Sequence, residues 1–172
     1  MSHKVLVHKH IAVALCILAL LYAAVYLLVA PVGVAEPVAR LLLAARLLGF
    51  VALPLLAGIA LTVHARYSDS SLIQGYKSAP TERFAFLEAY NTNTLEQTAL
   101  QALSLAAYCV VVPEPLLVFA YAQVAAFLLG RLMFFVGYQR APMRRLVGFA
   151  VGYYPAIAAV GASCLYSLSA AA

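Results

Sequence analysis

The chain has 172 residues, 66% of them hydrophobic and only 10% charged, with a formal net charge of +5. A soluble domain of this length needs more polar surface than that, so the long apolar stretches point to spans in lipid. The basic residues fall in short segments between apolar runs, which is the pattern of a membrane protein sorted by its positive charges and not of a nucleic-acid binder.

Residues 11–30 form a first uncharged run, long enough to cross a bilayer. The competing reading makes this run a signal sequence ending at Ala35, which leaves four spans in the same orientation. Pro31 and Pro37 bracket a break. A second run covers residues 38–65, interrupted by Pro54 and carrying Arg40 and Arg46 near its start. Residues 66–91 are the one long polar stretch, with Asp69, Lys77, Glu82, Arg83 and Glu88. A third helix is expected from about Glu82 or Thr92 to Val112, followed by a tight turn at Pro113-Glu114-Pro115. A fourth covers residues 116–138, a basic turn residues 139–145, and a fifth helix residues 146–168. Lipid tolerates only backbones that satisfy themselves, and the alternation of a barrel is absent, so the fold class is an all-α membrane protein.

Lys and Arg set the topology. Lys4 and Lys9, then Arg66, Lys77 and Arg83, then Arg140, Arg144 and Arg145 all fall on one side of a five-span chain. The opposite connections and the C-terminal tail carry no Lys or Arg, and Arg40, just inside the second span, is expected to snorkel outward. The reading is a multi-pass integral membrane protein with a cytoplasmic N-terminus and an external C-terminus, in the inner membrane if the cell is bacterial.

Polar residues inside spans are costly and usually face the bundle interior. In the third helix Asn93, Glu96, Gln97, Gln101 and Ser104 fall at i, i+3, i+4, i+8 and i+11, one helical face. Gln123, Arg131 and Tyr138 share a face of the fourth. Glu96 lies 18 residues before Glu114 and Arg131 lies 17 after it, so the hairpin is expected to bring the two charges to one depth, in contact. This pair reads either as packing between helices or as part of the wall of a polar cavity. That wall would comprise Asn93, Glu96, Arg131, Tyr138 and the Arg140, Arg144 and Arg145 cluster, whose guanidinium groups attract an anion.

The remaining polar and small residues have structural readings. Cys16, Cys109 and Cys164 read as small buried hydrophobes, with no disulfide and no metal site. His3, His8 and His10 belong to a solvated tail, and His64 to the interface. Arg46 is a partner for Glu36 or Glu114. Gly148, Gly152 and Gly161 are close-packing positions.

The run Asn93-Thr94-Leu95-Glu96-Gln97 resembles the Asn-x-x-Glu motif that opens the second core helix of the MAPEG family, the membrane-associated proteins in eicosanoid and glutathione metabolism. Residues 130–138, with Gly130, Arg131 and Tyr138, are similar to that family's Gly-Arg to Tyr segment in the third core helix. Residues 140–145 resemble its basic turn. The resemblance covers residues 38–172 as a four-helix domain, preceded in residues 1–37 by a cytoplasmic tail and an extra N-terminal transmembrane helix. It implies a homotrimer that binds glutathione as cofactor in a cleft between subunits. Asn93 and Glu96 would bind the peptide, with Arg131 supporting Glu96 and the ligand. Tyr138 would hydrogen-bond the ligand, Arg140 would belong to the same basic mouth, and Arg66 would meet a carboxylate. Arg144 or Arg145 would stabilise the thiolate. Ala89, Asn91 and Thr92 stand where members that use glutathione carry a basic residue, Phe134 where some have His or Tyr, and Gln97 where some have Tyr, so at least one carboxylate contact is missing.

Three functions follow. One is a glutathione-dependent transferase or peroxidase acting on small lipophilic electrophiles. The second is a non-catalytic trimer that binds another anionic or lipid ligand. The third is an unrelated small membrane assembly or transport protein. In every case the bilayer is a partner and nucleic acid is not. The topology is open to direct test: reporter fusions after Lys77 and after Ala172 should land on opposite sides of the membrane, and both on one side would overturn the five-span arrangement.

Overall fold

The computed structural model describes residues 3–30, 33–68, 72 and 81–171. Lys77 and Asp69 lie outside these residues. The described part contains five long helices: α1 (His3–Leu28), α2 (Pro37–Ser68), α3 (Glu82–Val111), α4 (Val118–Arg140) and α5 (Arg145–Ala171). Single 3₁₀ turns, Glu114–Leu116 and Pro142–Arg144, precede α4 and α5. α1, α2, α4 and α5 are each long and apolar enough to cross a membrane. α3 is the most polar of the five, and it runs beside α2 from Asn91 near Gly58 and Thr62 to Val112 near Arg40. The chain is thus an all-α bundle of a multi-pass membrane protein.

Several boundaries differ from expectation. α1 begins at His3, so the segment read as a solvated tail is helical, and His10 Nδ1 lies 2.7 Å from the carbonyl of Leu6. α2 runs unbroken through Pro54. A proline there removes one amide donor, a loss that one helix can absorb when the ladder continues on both sides. α3 takes the earlier of its two expected starts, where the Thr81 hydroxyl accepts from the amide of Phe84 at 3.3 Å.

Two ends can be distinguished. Tyr22 of α1 stacks on Phe119 at the start of α4 (centroids 5.7 Å apart), so α1 points its C-terminus toward the Pro113 turn. Its N-terminus, with Lys9, therefore shares the opposite end with Arg66, Arg83, Arg140, Arg144 and Arg145, which is called the basic end below. At the Pro113 end the Arg40 guanidinium is held by backbone carbonyls. Its Nη1 donates to the carbonyls of Val112 (2.6 Å) and Val110 (3.3 Å) and its Nε to that of Val34 (3.1 Å). It thereby satisfies orphan carbonyls where the negative pole of α3 lies. Arg46 makes no ion pair with Glu36 or Glu114 and is exposed on α2.

Lipid tails are as apolar as the core, so helices associate by close packing and internal hydrogen bonds. The main apolar core joins Leu43, Leu47 and Val51 of α2 with Leu105 and Cys109 of α3 and Leu117, Val124 and Phe127 of α4. α1 is an outrigger. Its Ala14 and Leu18 pack on Ala126, Ala150 and Val151 of α4 and α5, and most of its other side chains face outward. Cys109 is fully buried, but Cys16 and Cys164 lie on the outer surface, so only one of the three cysteines is a core residue.

The tightest seam lies between α4 and α5. A Cβ on Gly130 would stand 2.6 Å from the Gly152 amide nitrogen, and one on Gly148 would collide with the Phe134 nitrogen. Gly161 meets nothing within 4 Å, so of the glycines read as packing positions it is the one that has no such role. Gly148→Val should therefore separate α4 from α5 and cost about 3 kcal/mol or more. Gly161→Val should change stability by less than about 0.5 kcal/mol. Unfolding midpoints in detergent measure both, and equal effects would contradict the glycine seam.

Candidate anion-binding site

The site is built on the hairpin of α3 and α4. Arg131 is 1% exposed although it carries a guanidinium. Its Nη1 donates to Asn93 Oδ1 at 2.8 Å. Its guanidinium carbon lies 4.7 Å from the centroid of the Phe134 ring and 5.9 Å from that of Phe127. These ring faces offer the cation partial compensation. Nε and Nη2 have no hydrogen-bond acceptor among the described residues. Both lie beside Gly152 of α5, where a Cβ would stand at ordinary van der Waals distance, 3.9 Å and 3.8 Å away. On the facing turn of α3, Gln97 Oε1 and Thr98 Oγ1 are likewise buried without a partner among the described residues.

About two helical turns nearer the basic end, the guanidinium of Arg145 covers the ring of Tyr138 at 4.5 Å. Tyr138 in turn meets Phe134 and Phe86 edge-on, at 5.7 Å and 5.2 Å. Asn93, Phe134 and Arg145 border a cavity of about 260 Å³ together with Ala89, Leu146 and Phe149. An anion placed there would meet Arg145 directly and, across Asn93 and Phe134, the positive charge of Arg131. Asn93 is suited to bridge, since its carbonyl oxygen already accepts from Arg131 and its amide retains two donors.

The structure thus gathers Asn93, Arg131, Tyr138 and Arg145 and sets the other expected site residues apart. Glu96 is exposed and forms no contact with Arg131. The buried arc of α3 runs through Leu87, Tyr90, Thr94, Gln97, Gln101 and Tyr108. At about 100° per residue Glu96 stands roughly 130° from the middle of that arc. Equal depth in the hairpin was therefore insufficient, because the side chain points away from α4. Arg140 and Arg144 are exposed. Arg66 is exposed at the end of α2, over the Phe84 ring at 5.5 Å and on the α2 side of α3.

A second polar cluster lies deeper, and here the sequence pattern held most of the signal. Gln123 Nε2 donates to Gln101 Oε1 (2.7 Å) and Ser104 Oγ (2.8 Å), and Gln101 Nε2 donates to the Gly152 carbonyl (2.6 Å). That carbonyl is one residue beyond the one deprived of its amide by Pro155. The shared faces of α3 and α4 were legible, but nothing in the pattern marked a backbone oxygen of α5 as the third party.

Comparisons of the chain with protein-family models, with curated proteins and with solved structures found no match.

The absence of a Glu96–Arg131 contact has a measurable consequence. Glu96→Gln should change stability by less than about 0.5 kcal/mol. Asn93→Ala should cost about 1–3 kcal/mol by leaving a third nitrogen of a buried guanidinium unpaired. Arg131→Met in the Asn93→Ala background should recover most of that loss. Denaturant titrations in mixed micelles would decide it: a Glu96→Gln loss as large as that of Asn93→Ala would restore the ion pair.

Proposed function

We propose that this multi-pass membrane protein binds an anionic ligand at Asn93, Arg131 and Arg145, with its basic end toward the cytoplasm. The observation that carries the reading is Arg131, a buried guanidinium with one hydrogen bond and two unpartnered nitrogens, whose partner Asn93 borders a cavity together with Arg145. Placing an arginine inside a span is costly, and such residues most often mark a functional site. A bound anion would recover part of that cost.

The MAPEG resemblance narrows the ligand. Asn93, Arg131 and Tyr138 are three of the residues by which the motifs suggest glutathione, and the geometry favours Arg145 over the exposed Arg144 as the cation beside the cavity. Beside such a guanidinium the thiol of glutathione gives up its proton more readily, and the resulting thiolate attacks an apolar electrophile arriving from the bilayer. The family's trimer fits the outward direction of Glu96, which on this reading contacts ligand held by a neighbouring subunit. Ala89 and Thr92 supply no cation, so affinity should be weak, in the millimolar range, or about 4 kcal/mol of binding. The second reading, an anion binder without catalysis, is favoured by the exposure of Arg66, Arg140 and Arg144, which leaves few cations to hold a tripeptide with two carboxylates.

Titrating purified protein with glutathione while following ultraviolet thiolate absorbance tests both. Thiolate signal that Arg145→Leu abolishes, equivalent to a pKa shift of one unit or more at about 1.4 kcal/mol per unit, supports the transferase. Glutathione binding without thiolate supports the anion binder. No binding of glutathione or of another carboxylate anion would end the proposal.

A further inference from the structure

The opposite face of α4 carries a separate feature. In its second half α2 is tied to α3, not to α4: Asn91 Nδ2 donates to Thr62 Oγ1 at 2.7 Å and to the Gly58 carbonyl at 3.2 Å. This leaves a groove between α2 and α4, in two adjoining parts. The inner part, about 340 Å³, is a slot with walls formed by Pro54, Ala57, Gly58, Tyr90 and Leu132. The outer part, about 740 Å³, lies at the basic end and is bordered by Glu82, Arg83, Phe86, Tyr138 and Gln139. Leu61 and Phe135 border both. From Leu53 to Leu61 the slot follows α2 for about 12 Å, the length of a substantial part of one acyl chain. Ala57, Leu61 and Leu132 are exposed, so the slot opens sideways to lipid.

The chemistry changes along the groove as it does along a phospholipid. Apart from Arg131, which borders it, the slot is lined by apolar groups, whereas the mouth presents a carboxylate and a guanidinium next to each other. Glu82 and Arg83 are both exposed, and among the described residues neither is engaged in an ion pair. We propose that the groove holds one zwitterionic aminophospholipid. An acyl chain fills the slot, the phosphate lies against Arg83, and the primary ammonium donates to Glu82. Guanidinium and phosphate match in geometry, and the carboxylate prefers an ammonium that bears N–H donors. A trimethylammonium headgroup has no such donor, and an anionic glycerol headgroup would face the Glu82 carboxylate without a cation to offer it. The groove is bordered by neither Asn93 nor Arg145, but Arg131 borders its slot and Tyr138 its mouth, so it adjoins the anion site across α4.

Native mass spectrometry of the full chain tests the proposal. The protein, in mild detergent, is given phosphatidylethanolamine, phosphatidylcholine and phosphatidylglycerol with identical acyl chains in equal amounts. Phosphatidylethanolamine should be retained in about three- to tenfold excess over each of the others, the range one charge-assisted hydrogen bond at an exposed mouth supports. Glu82→Gln should erase its advantage over phosphatidylcholine, and Arg83→Gln should lower retention of all three. Ala57→Phe, which fills the slot, should remove the adduct while helical circular dichroism is kept. If that variant loses helicity, Ala57→Leu carries the same expectation. Equal retention of the three lipids, a preference for phosphatidylglycerol, or undiminished phosphatidylethanolamine binding by a folded slot-filling variant would each overturn the proposal.

Discussion

A polar group inside a bilayer has no water to turn to, so its hydrogen bonds must come from the protein, and here that demand is concentrated on α3. Gln101, Ser104 and Gln123 meet it fully by sharing one network that ends on the Gly152 carbonyl. Because these bonds join α3, α4 and α5 at one level, they fix the relative height of three helices that apolar packing alone would allow to slide. Arg40 does the same at the Pro113 end by closing the last carbonyls of α3. Nearer the basic end the demand is met only in part, at Arg131, Gln97 and Thr98. The stability of the bundle and its candidate site are therefore two outcomes of one constraint, satisfied in one stretch of α3 and left open in the next.

The glycine seam makes this arrangement possible. Gly130 and Gly148 bring the backbones of α4 and α5 into contact, which sets the Gly152 carbonyl within reach of Gln101 and the Gly152 backbone beside the Arg131 guanidinium. A side chain at either of the first two positions would widen the seam and move both partners. In a membrane such close approach also supplies the dispersion energy that a hydrophobic driving force supplies in water.

Around this centre the outer helices have different tasks. α1 touches only α4 and α5 and exposes most of its length, whereas α2 is anchored by Arg40 at one end and by Asn91 at the other and stands off α4 between Pro54 and Leu61. The cavity bordered by Asn93 and Arg145 lies between α3, α4 and α5, and the α2 groove lies across α4 from it, with Arg131 on its wall.

The sequence by itself determined the helical class, the long apolar runs and the gathering of most of the described basic residues at one end. Those properties depend on composition and on distance along the chain, which tertiary contacts do not alter. Periodicity also put Gln97, Gln101, Ser104, Gln123 and Arg131 on inward faces. It went wrong at Glu96, because spacing assigns a residue to an arc of helix surface only, and the centre of the buried arc is set by which neighbours cover it. The same limit explains Arg40, Cys16, Cys164 and Gly161, whose partners or lack of partners depend on where helices distant in sequence come to rest. The tertiary structure alone decided that Asn93, not Glu96, meets Arg131 and that Arg145, not Arg144, borders the cavity, since each choice turns on side-chain direction across an interface that no single helix contains.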